Sequence, residues 1–291
     1  MTQGYLNTLD DRLARGAALL GGRFCDRRAA YVRSRQTPDG GFAGRRGGSD
    51  VYYTDFALRA LRLLAPDRPA PEGAADYLRG LPHETRDLVE CFNRLNCARM
   101  LGGPDAARLP DSAAIEKHLA GAAVHPYTAF LAALCYEMAG AQLPGLDRAL
   151  AAVTARRCPD GGFGETTGQT NPTAAAVAFL KMNGALTGEL GGAAADFLLS
   201  MQAPGGGFRP HASAPEPDLL STFTALATLG DLGALALADL AGAGRLVKSL
   251  SAQDGGFRAG PSDGETDVEY TYYGAATAAL LRAYVADPGA W

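Results

Sequence analysis

Residues 253–257 read Gln-Asp-Gly-Gly-Phe, and residues 267–274 read Asp-Val-Glu-Tyr-Thr-Tyr-Tyr-Gly before the small, apolar run of residues 275–281. This pattern predicts a helix end, a glycine turn and a second helix, because glycine tolerates the backbone angles that such turns require. Similar patterns recur at residues 36–58, 158–173 and 202–222. Recurrence at this spacing is typical of repeat architectures, so we interpret the chain as a series of helical hairpins.

The second helix of each hairpin, here called the inner helix, is small and apolar on most faces. The inner helices are expected to begin near residues 50, 87, 125, 170, 218 and 267, and no strand signal accompanies them. Helices of this kind fit close packing around a centre. We therefore predict an all-α fold, an (α/α)6 toroid of six hairpins. It is expected to form one domain over residues 1–291, with the repeats at about 30–285. An open solenoid is the alternative, but it needs polar caps at both ends, and none is evident.

Apolar spacing and capping residues predict the individual helices. They are expected at residues 8–31 (broken at Gly21-Gly22), 50–64, 74–81, 87–101, 111–120, 125–138, 146–156, 173–182, 193–201, 219–229, 246–251 and 267–285. Residues 230–243 are loosely patterned, and their element boundaries stay open.

The bulk composition excludes several classes of protein. A net charge of -4 and a pI of about 5.6 argue against a nucleic-acid surface. No uncharged apolar run is long enough to cross a membrane, and no signal peptide is evident in the first residues. The five cysteines are scattered and form no Cys-x-x-Cys pair. Reduced thiols and a cytoplasmic location are therefore expected.

The Gln-x-x-Asp-Gly-Gly-Phe turns, each followed by an Asp-x-x-x-Thr helix start, resemble the repeats of prenyltransferases and squalene cyclases. The likeness covers roughly residues 30–285 and is greatest to the β-subunits of protein prenyltransferases, above all the Rab geranylgeranyltransferase type. It implies a toroid that handles an isoprenoid or another hydrophobic small molecule. The Asp-x-Asp-Asp acid motif of class II terpene cyclases is absent. The nearest carboxylate sets lie at residues 216 and 218 and at residues 263, 265, 267 and 269.

The zinc ligands that this resemblance implies are mostly missing. The Pro-Asp-x-Cys-Tyr-Ser segment of the family corresponds to residues 217–222, where Asp218 is kept and Leu220 replaces the cysteine. Its Asp-x-x-His-Thr segment corresponds to residues 267–271, where Tyr270 replaces the histidine. Stable zinc sites use three or four N, S or O donors, so we expect no zinc and no other cofactor. Mg²⁺ is expected only with a bound diphosphate, for which Arg209 would be the remnant of the family's clamp.

The first residues of the inner helices are expected to form one ring of acids and tyrosines, because these helices start at the same level. A carboxyl group above an apolar chamber favours its neutral form and becomes a proton donor, and tyrosine faces stabilise cations. The candidate catalytic residues are Asp218, Glu269 and Glu90 as acids, and Tyr270. The candidate substrate-binding residues are Asp50, Tyr53, Tyr127, His125, Asn171, Arg209 and Asp267.

Each candidate also has a structural interpretation. The four aspartates at residues 50, 87, 218 and 267 fit helix N-caps. The glutamates, His125 and the arginines fit a solvated rim, and the tyrosines fit wall packing. The turn phenylalanines at residues 42, 163, 208 and 257 are expected to be packing anchors.

The sequence predicts a zinc-independent enzyme that cyclises a terpenoid by protonation in an apolar central chamber. The missing zinc ligands argue against transfer to a cysteine thiolate, which zinc normally activates. Prenyl transfer of the β-subunit type, or a non-catalytic toroid that binds a lipid or a partner protein, are the alternatives. A glycan-active toroid is disfavoured by the single tryptophan. The sequence leaves open a homo-oligomer and an α-subunit-like partner.

Overall fold

The computed structural model describes residues 4–82, 87–102, 115, 119 and 124–287 of the protein. Its α-helices in chain order are α1 Tyr5–Ala17, α2 Gly22–Arg33, α3 Val51–Leu64, α4 Ala74–Gly80, α5 Leu88–Leu101, α6 Pro126–Met138, α7 Leu146–Thr154, α8 Thr170–Met182, α9 Gly188–Ser200, α10 Leu219–Asp231, α11 Leu240–Leu250 and α12 Val268–Ala286, with a 3₁₀ turn at Leu235–Leu237. The described helices are too short or too polar to span a bilayer.

The predicted inner helices agree with the structure to within a few residues, and the break near Gly21-Gly22 is confirmed. Two outer helices begin earlier than predicted. Helix α9 starts at Gly188 because Thr187 caps it, with its hydroxyl accepting the Leu190 N–H at 3.3 Å. Helix α11 starts at Leu240, where Asp239 accepts the Gly242 N–H at 2.7 Å. The helix predicted at residues 111–120 lies outside the described residues, apart from the buried Ile115 and Leu119.

The sequence shows no strand pattern, yet three of the glycine turns contain an antiparallel pair of strands, each two residues long. The antiparallel pairs are β1 Phe42–Ala43 with β2 Ser49–Asp50, β3 Phe163–Gly164 with β4 Gly168–Gln169, and β5 Phe257–Arg258 with β6 Thr266–Asp267. Strands of two residues are too short for an alternating pattern to show in the sequence.

Each glycine turn is attached to the inner helix that follows it by the same hydrogen bond. The backbone N–H of the turn phenylalanine donates to a threonine hydroxyl in the first turn of that helix. The pairs are Phe42 to Thr54 at 3.0 Å, Phe163 to Thr173 at 2.8 Å, Phe208 to Thr222 at 2.9 Å and Phe257 to Thr271 at 3.1 Å. All four phenylalanine rings are fully buried, which confirms them as packing anchors.

The chain divides into two compact units, Met1–Pro110 with Ser249–Pro288 and Asp111–Lys248 with Gly289–Trp291. In the first unit, α3 packs between α5 and α12, and α1 covers α12. Gly255, in the last turn, has a φ of +102°, and a Cβ there would lie 2.7 Å from the Arg27 carbonyl of α2. The last repeat therefore packs directly on the first. In the second unit, α8 packs between α6 and α10. A single domain stays a prediction.

Replacing the threonine that accepts the phenylalanine N–H should show how much this hydrogen bond contributes to the free energy of unfolding. For Thr222→Val, we expect the free energy of unfolding to fall by about 1–3 kcal/mol, because the buried Phe208 N–H loses its acceptor. Urea unfolding followed by circular dichroism measures this change. Thr154→Val is the control, since the Thr154 hydroxyl bonds only to the exposed Leu150 carbonyl, and a change within about 0.5 kcal/mol is expected. Equal losses in the two variants would contradict the assigned role.

Candidate functional site

The four rim aspartates are helix N-caps, as their structural interpretation predicts. Asp50 accepts the Tyr52 N–H at 2.7 Å, Asp87 the Val89 and Glu90 N–H groups at 2.8 and 3.1 Å, Asp218 the Ser221 N–H at 2.6 Å, and Asp267 the Tyr270 N–H at 2.8 Å. His125 caps α6 in the same way, through Nδ1 and the Tyr127 N–H at 3.2 Å. Each cap satisfies amides that the helix leaves unpaired. A role for these residues in binding substrate stays a prediction.

In the first unit, Arg45 of the first turn joins the start of the last inner helix. Its Nε lies 2.7 Å from Asp267 Oδ2, and its two terminal nitrogens contact the Asp263 carboxylate, one of them at 3.1 Å. Its guanidinium carbon also lies 5.8 Å from the centre of the Tyr270 ring. Burial raises the pKa of Asp267, and the cation only partly opposes this rise. Arg45 thus joins the loop before α3 to the start of α12.

Glu269, the second residue of α12, differs from the capping aspartates. Its side chain is half-buried and forms a hydrogen bond with the Tyr52 hydroxyl of α3. Burial raises the pKa of Glu269 to about 7, and the charge of Asp267 adds to this rise. The protonated form of Glu269 is therefore favoured compared with an exposed glutamate. A carboxyl group in this state can donate a proton under physiological conditions.

Six aromatic rings of α3 and α12 form what we call the aromatic cluster, and Glu269 contacts it through its hydrogen bond with Tyr52. The six rings are Tyr52, Tyr53, Phe56, Tyr270, Tyr272 and Tyr273. The centres of neighbouring rings lie 5.0 to 6.4 Å apart, from Tyr52 to Phe56 at 5.0 Å and from Tyr270 to Tyr273 at 6.4 Å. Aromatic faces attract cations. The predicted pair Tyr53 and Tyr270 is therefore part of a larger cluster next to the acid.

Glu90, on α5, lies in a different environment. It forms an ion pair with Arg94 one turn later. Glu90, Asp50 and Asp87 line a cavity of about 420 Å³ in the first unit, to which Tyr52 also contributes. The structure thus brings two of the predicted site residues, Glu90 and Asp50, together with the capping Asp87 around one cavity.

The remaining predicted residues belong to the second unit. Asp218 accepts both the N–H and the hydroxyl of Ser221, and burial raises its pKa. Asn171 accepts a hydrogen bond from the Thr224 hydroxyl at 2.8 Å. The Arg209 guanidinium donates weakly to the Ala212 carbonyl at 3.4 Å. Burial lowers the pKa of His125, and the neighbouring Tyr127 is 43% exposed.

A buried ion pair on α3 was not singled out in the sequence. Asp55 is fully buried, pairs with Arg59 and accepts a hydrogen bond from the Asn96 amide at 2.6 Å. Burial raises the pKa of Asp55 to about 6. Arg59 also lies over the rings of Phe56 and Tyr272, at 5.0 and 5.7 Å. The available signal was a charged pair four residues apart inside an otherwise apolar inner helix.

The prenyltransferase alpha-alpha toroid domain family matches the chain over residues 25–185 and 173–287. The chain belongs to this family. Its structure is also similar to that of a variant of the type II terpene cyclase MstE from Scytonema in complex with its substrate, geranylgeranyl dihydroxybenzoate. The TM-score is 0.56 and the identity 12%, over 96% of this chain and 99% of that chain, so this likeness concerns the fold alone. No curated protein matches the sequence.

Membership of the toroid family confirms the predicted all-α toroid class and the predicted prenyltransferase and squalene-cyclase superfamily. The zinc site that the resemblance to prenyltransferase β-subunits implies does not fit the residues of this chain. Leu220 and Tyr270 stand at two ligand positions, and the oxygens of Asp218 are engaged with Ser221. Within the described residues, no three His, Cys, Asp or Glu side chains are grouped so that they could hold a metal ion. All five cysteines are free thiols.

Removing the bridging cation should destabilise the first unit. For Arg45→Met, we expect a loss of about 3 kcal/mol in the free energy of unfolding, because the Asp267 carboxylate stays buried without its cation. Urea unfolding measures the loss. Arg46→Met is the matched control, since the neighbouring Arg46 forms only an exposed pair with Glu265 at 3.3 Å. A change below about 1 kcal/mol is expected there, and similar losses for both variants would refute the bridging role.

Proposed function

We propose that this toroid-family protein cyclises an isoprenoid by protonation, without zinc, and that Glu269 is the proton donor. The observation that carries the proposal is the carboxyl group of Glu269, with a pKa of about 7, beside an aromatic cluster. Family membership supports an isoprenoid-related enzyme. The similar terpene cyclase binds a geranylgeranylated aromatic acid, which agrees with an isoprenoid substrate.

The chemistry requires a proton donor and a way to hold positive charge. The Glu269 O–H transfers its proton to one carbon of an alkene, the π electrons form the new C–H bond, and the other carbon becomes a cation. A second alkene attacks this cation to close a ring. Tyrosine faces at positions 53, 270 and 273 stabilise the charge. Loss of a proton from carbon to the Glu269 carboxylate ends the reaction and restores the acid.

Among the other candidate acids, Asp218 ranks second and Glu90 third. Burial also raises the pKa of Asp218, but its carboxylate oxygens cap α10. Glu90 is paired with Arg94.

A non-catalytic toroid would show all rim acids engaged as caps, and Glu269 is not a cap. Cytoplasmic location and the absence of a zinc requirement remain part of the proposal, and no partner subunit is assigned.

Substitution of the acid should abolish turnover. We expect Glu269→Gln to lower kcat by at least 10²-fold, because general-acid contributions are about 10²–10⁴. Purified protein is incubated with C15 to C30 isoprenoids, with and without diphosphate, and the products are analysed by gas chromatography and mass spectrometry. Glu265→Gln is the control, since Glu265 is half-exposed. No conversion of any substrate by the wild type would overturn the proposal.

A further variant distinguishes Asp218 from Glu269 as the proton donor. Asp218→Asn keeps a capping side chain, so turnover should persist. If this variant is inactive while Glu269→Gln stays active, the donor is Asp218.

The pH dependence follows from the raised pKa of Glu269. The protonated form is present below pH 7 and is lost above it. We therefore expect kcat/KM to be constant below about pH 6 and to fall about tenfold per pH unit above pH 8. The free energy of unfolding should also fall as pH rises from the ordinary pKa of a glutamate to about 7. In this range the folded state binds more protons than the unfolded state, because folding raises the pKa of Glu269. Initial rates between pH 5 and 9 test this, and a rate that rises with pH would contradict it.

A further inference from the structure

A second cavity of the first unit lies at the C-terminal ends of α3 and α5, away from Glu269. Its volume is about 410 Å³, and small-molecule pockets typically span roughly 300–1,000 Å³. Arg62, in its lining, follows Tyr52 by ten residues on α3, and Tyr52 bonds to Glu269. At about 1.5 Å per residue, the two positions are roughly 15 Å apart along the helix. The cavity is therefore separate from the site of the proposed acid.

The wall of this cavity is largely apolar. Its floor includes Leu58 and Leu61 of α3, which are buried at 3% and 4% exposure. Met100, at the end of α5, is half-buried, and Pro66 and Pro69 of the loop after α3 are exposed. These side chains keep surface that a hydrocarbon chain can cover, and burial of that surface favours binding.

Positive charge exceeds negative charge around the cavity. The described lining carries four arginines and two aspartates, namely Arg33, Arg59, Arg62, Arg68, Asp10 and Asp11. Arg59 is paired with Asp55, and Asp10 with Arg99 at 2.9 Å. The chain as a whole has a net charge of -4. The local excess is therefore opposite in sign to the charge of the protein.

Three of these guanidinium groups, here called the arginine set, are available to a ligand. Arg33, Arg62 and Arg68 pair with no carboxylate among the residues that the structure describes. Arg62 and Arg68 are exposed, and Arg33 is half-buried. Arg33 and Arg62 also lie in the last turns of α2 and α3, where a cation stabilises a helix. Arg68, in the loop, has no such role.

The two parts of the cavity require different chemistry from a ligand. Guanidinium groups bind carboxylate and phosphate oxygens through paired hydrogen bonds. The apolar wall binds a hydrocarbon. An inorganic phosphate would use only the arginine set, and a neutral hydrocarbon only the wall. An anion with a hydrocarbon tail uses both, and a volume near the lower end of the usual range suits a single chain.

We propose that this cavity binds a single-chain amphiphilic anion. Its phosphate or carboxylate head lies at the arginine set, and its tail lies along Leu58, Leu61 and Met100. The ligand is a free amphiphile, because the tail lies within a cavity of the protein and not in a bilayer. This site goes beyond the proposed function and does not depend on it.

Three matched probes test the assignment. The full-length protein is titrated with decyl phosphate, decanol and inorganic phosphate by isothermal titration calorimetry, with each amphiphile below its critical micelle concentration. We expect decyl phosphate to bind at least about tenfold more tightly than either of the others, as for one charge-assisted contact. Its affinity should fall as salt is raised, because exposed charges are screened. Equal affinities of decyl phosphate and decanol would overturn the proposal.

Variants of the arginine set locate the bound head. The double variant Arg62→Gln with Arg68→Gln should bind decyl phosphate at least about tenfold more weakly and decanol unchanged. Its Tm without ligand should be unchanged, because both side chains are exposed. Arg282→Gln is the matched control, since Arg282 is an exposed arginine of the inner helix α12 outside the described lining. A double variant that keeps its affinity, or a control that loses as much, would refute the site.

Two further measurements separate this site from a bilayer surface and from the proposed function. Sedimentation with phosphatidylglycerol vesicles that depends on Arg62 and Arg68, without binding of decyl phosphate, would replace the free amphiphile by a lipid surface. Glu269→Gln should keep the binding of decyl phosphate and lose the conversion of isoprenoids. Loss of binding in that variant would place the probe at Glu269 and overturn the second site, whereas binding without any conversion by the wild type would overturn only cyclisation.

Discussion

The bond from the turn phenylalanine N–H to the threonine hydroxyl of the next helix is the contact on which the arrangement of the repeats depends. It joins a buried backbone donor to a side chain in the first turn of the inner helix, at 2.8 to 3.1 Å in all four copies. Because a hydrogen bond has narrow limits of length and angle, the turn and the helix start cannot slide past each other. In these four repeats the first turn of the inner helix is therefore held against its glycine turn, although the phenylalanine and the threonine are 10 to 14 residues apart in the chain.

This constraint divides the rim carboxyl groups into two roles. Asp50, Asp218 and Asp267 each precede an inner helix and accept amide hydrogens there, whereas Gln169 before α8 makes no side-chain capping bond. Glu269 comes two positions later and bonds instead to Tyr52 on the neighbouring helix. Burial raises the pKa of Asp218 and Asp267 as well, but the amide hydrogens that they accept oppose this rise. For Glu269, burial raises the pKa to about 7, and its hydrogen bond with Tyr52 opposes the rise.

The charges around the aromatic cluster are balanced in pairs. Arg45 is held by Asp263 and Asp267, and Arg59 is held by Asp55. Two unpaired guanidinium groups at this place would repel a carbocation, and their carboxylate partners cancel most of that field. The cluster therefore keeps the attraction of its ring faces for a cation. The Arg45 pairs also join the loop before α3 to the start of α12, near which rings of the first and last inner helices meet.

The sequence by itself determined the helical hairpins, the inner-helix starts and the capping aspartates. These depend on local chemistry, namely glycine turns, capping oxygens and the apolar period of a helix. It also marked Glu269 and Tyr270 as candidates, because the repeat register places both at a helix start. Only the tertiary structure decided that Arg45 bridges to Asp267 and that the Asn96 amide donates to the buried Asp55. These features depend on which helices pack together and on how far water is excluded, and residues 40 to 220 positions apart in the chain carry no local signal of that proximity.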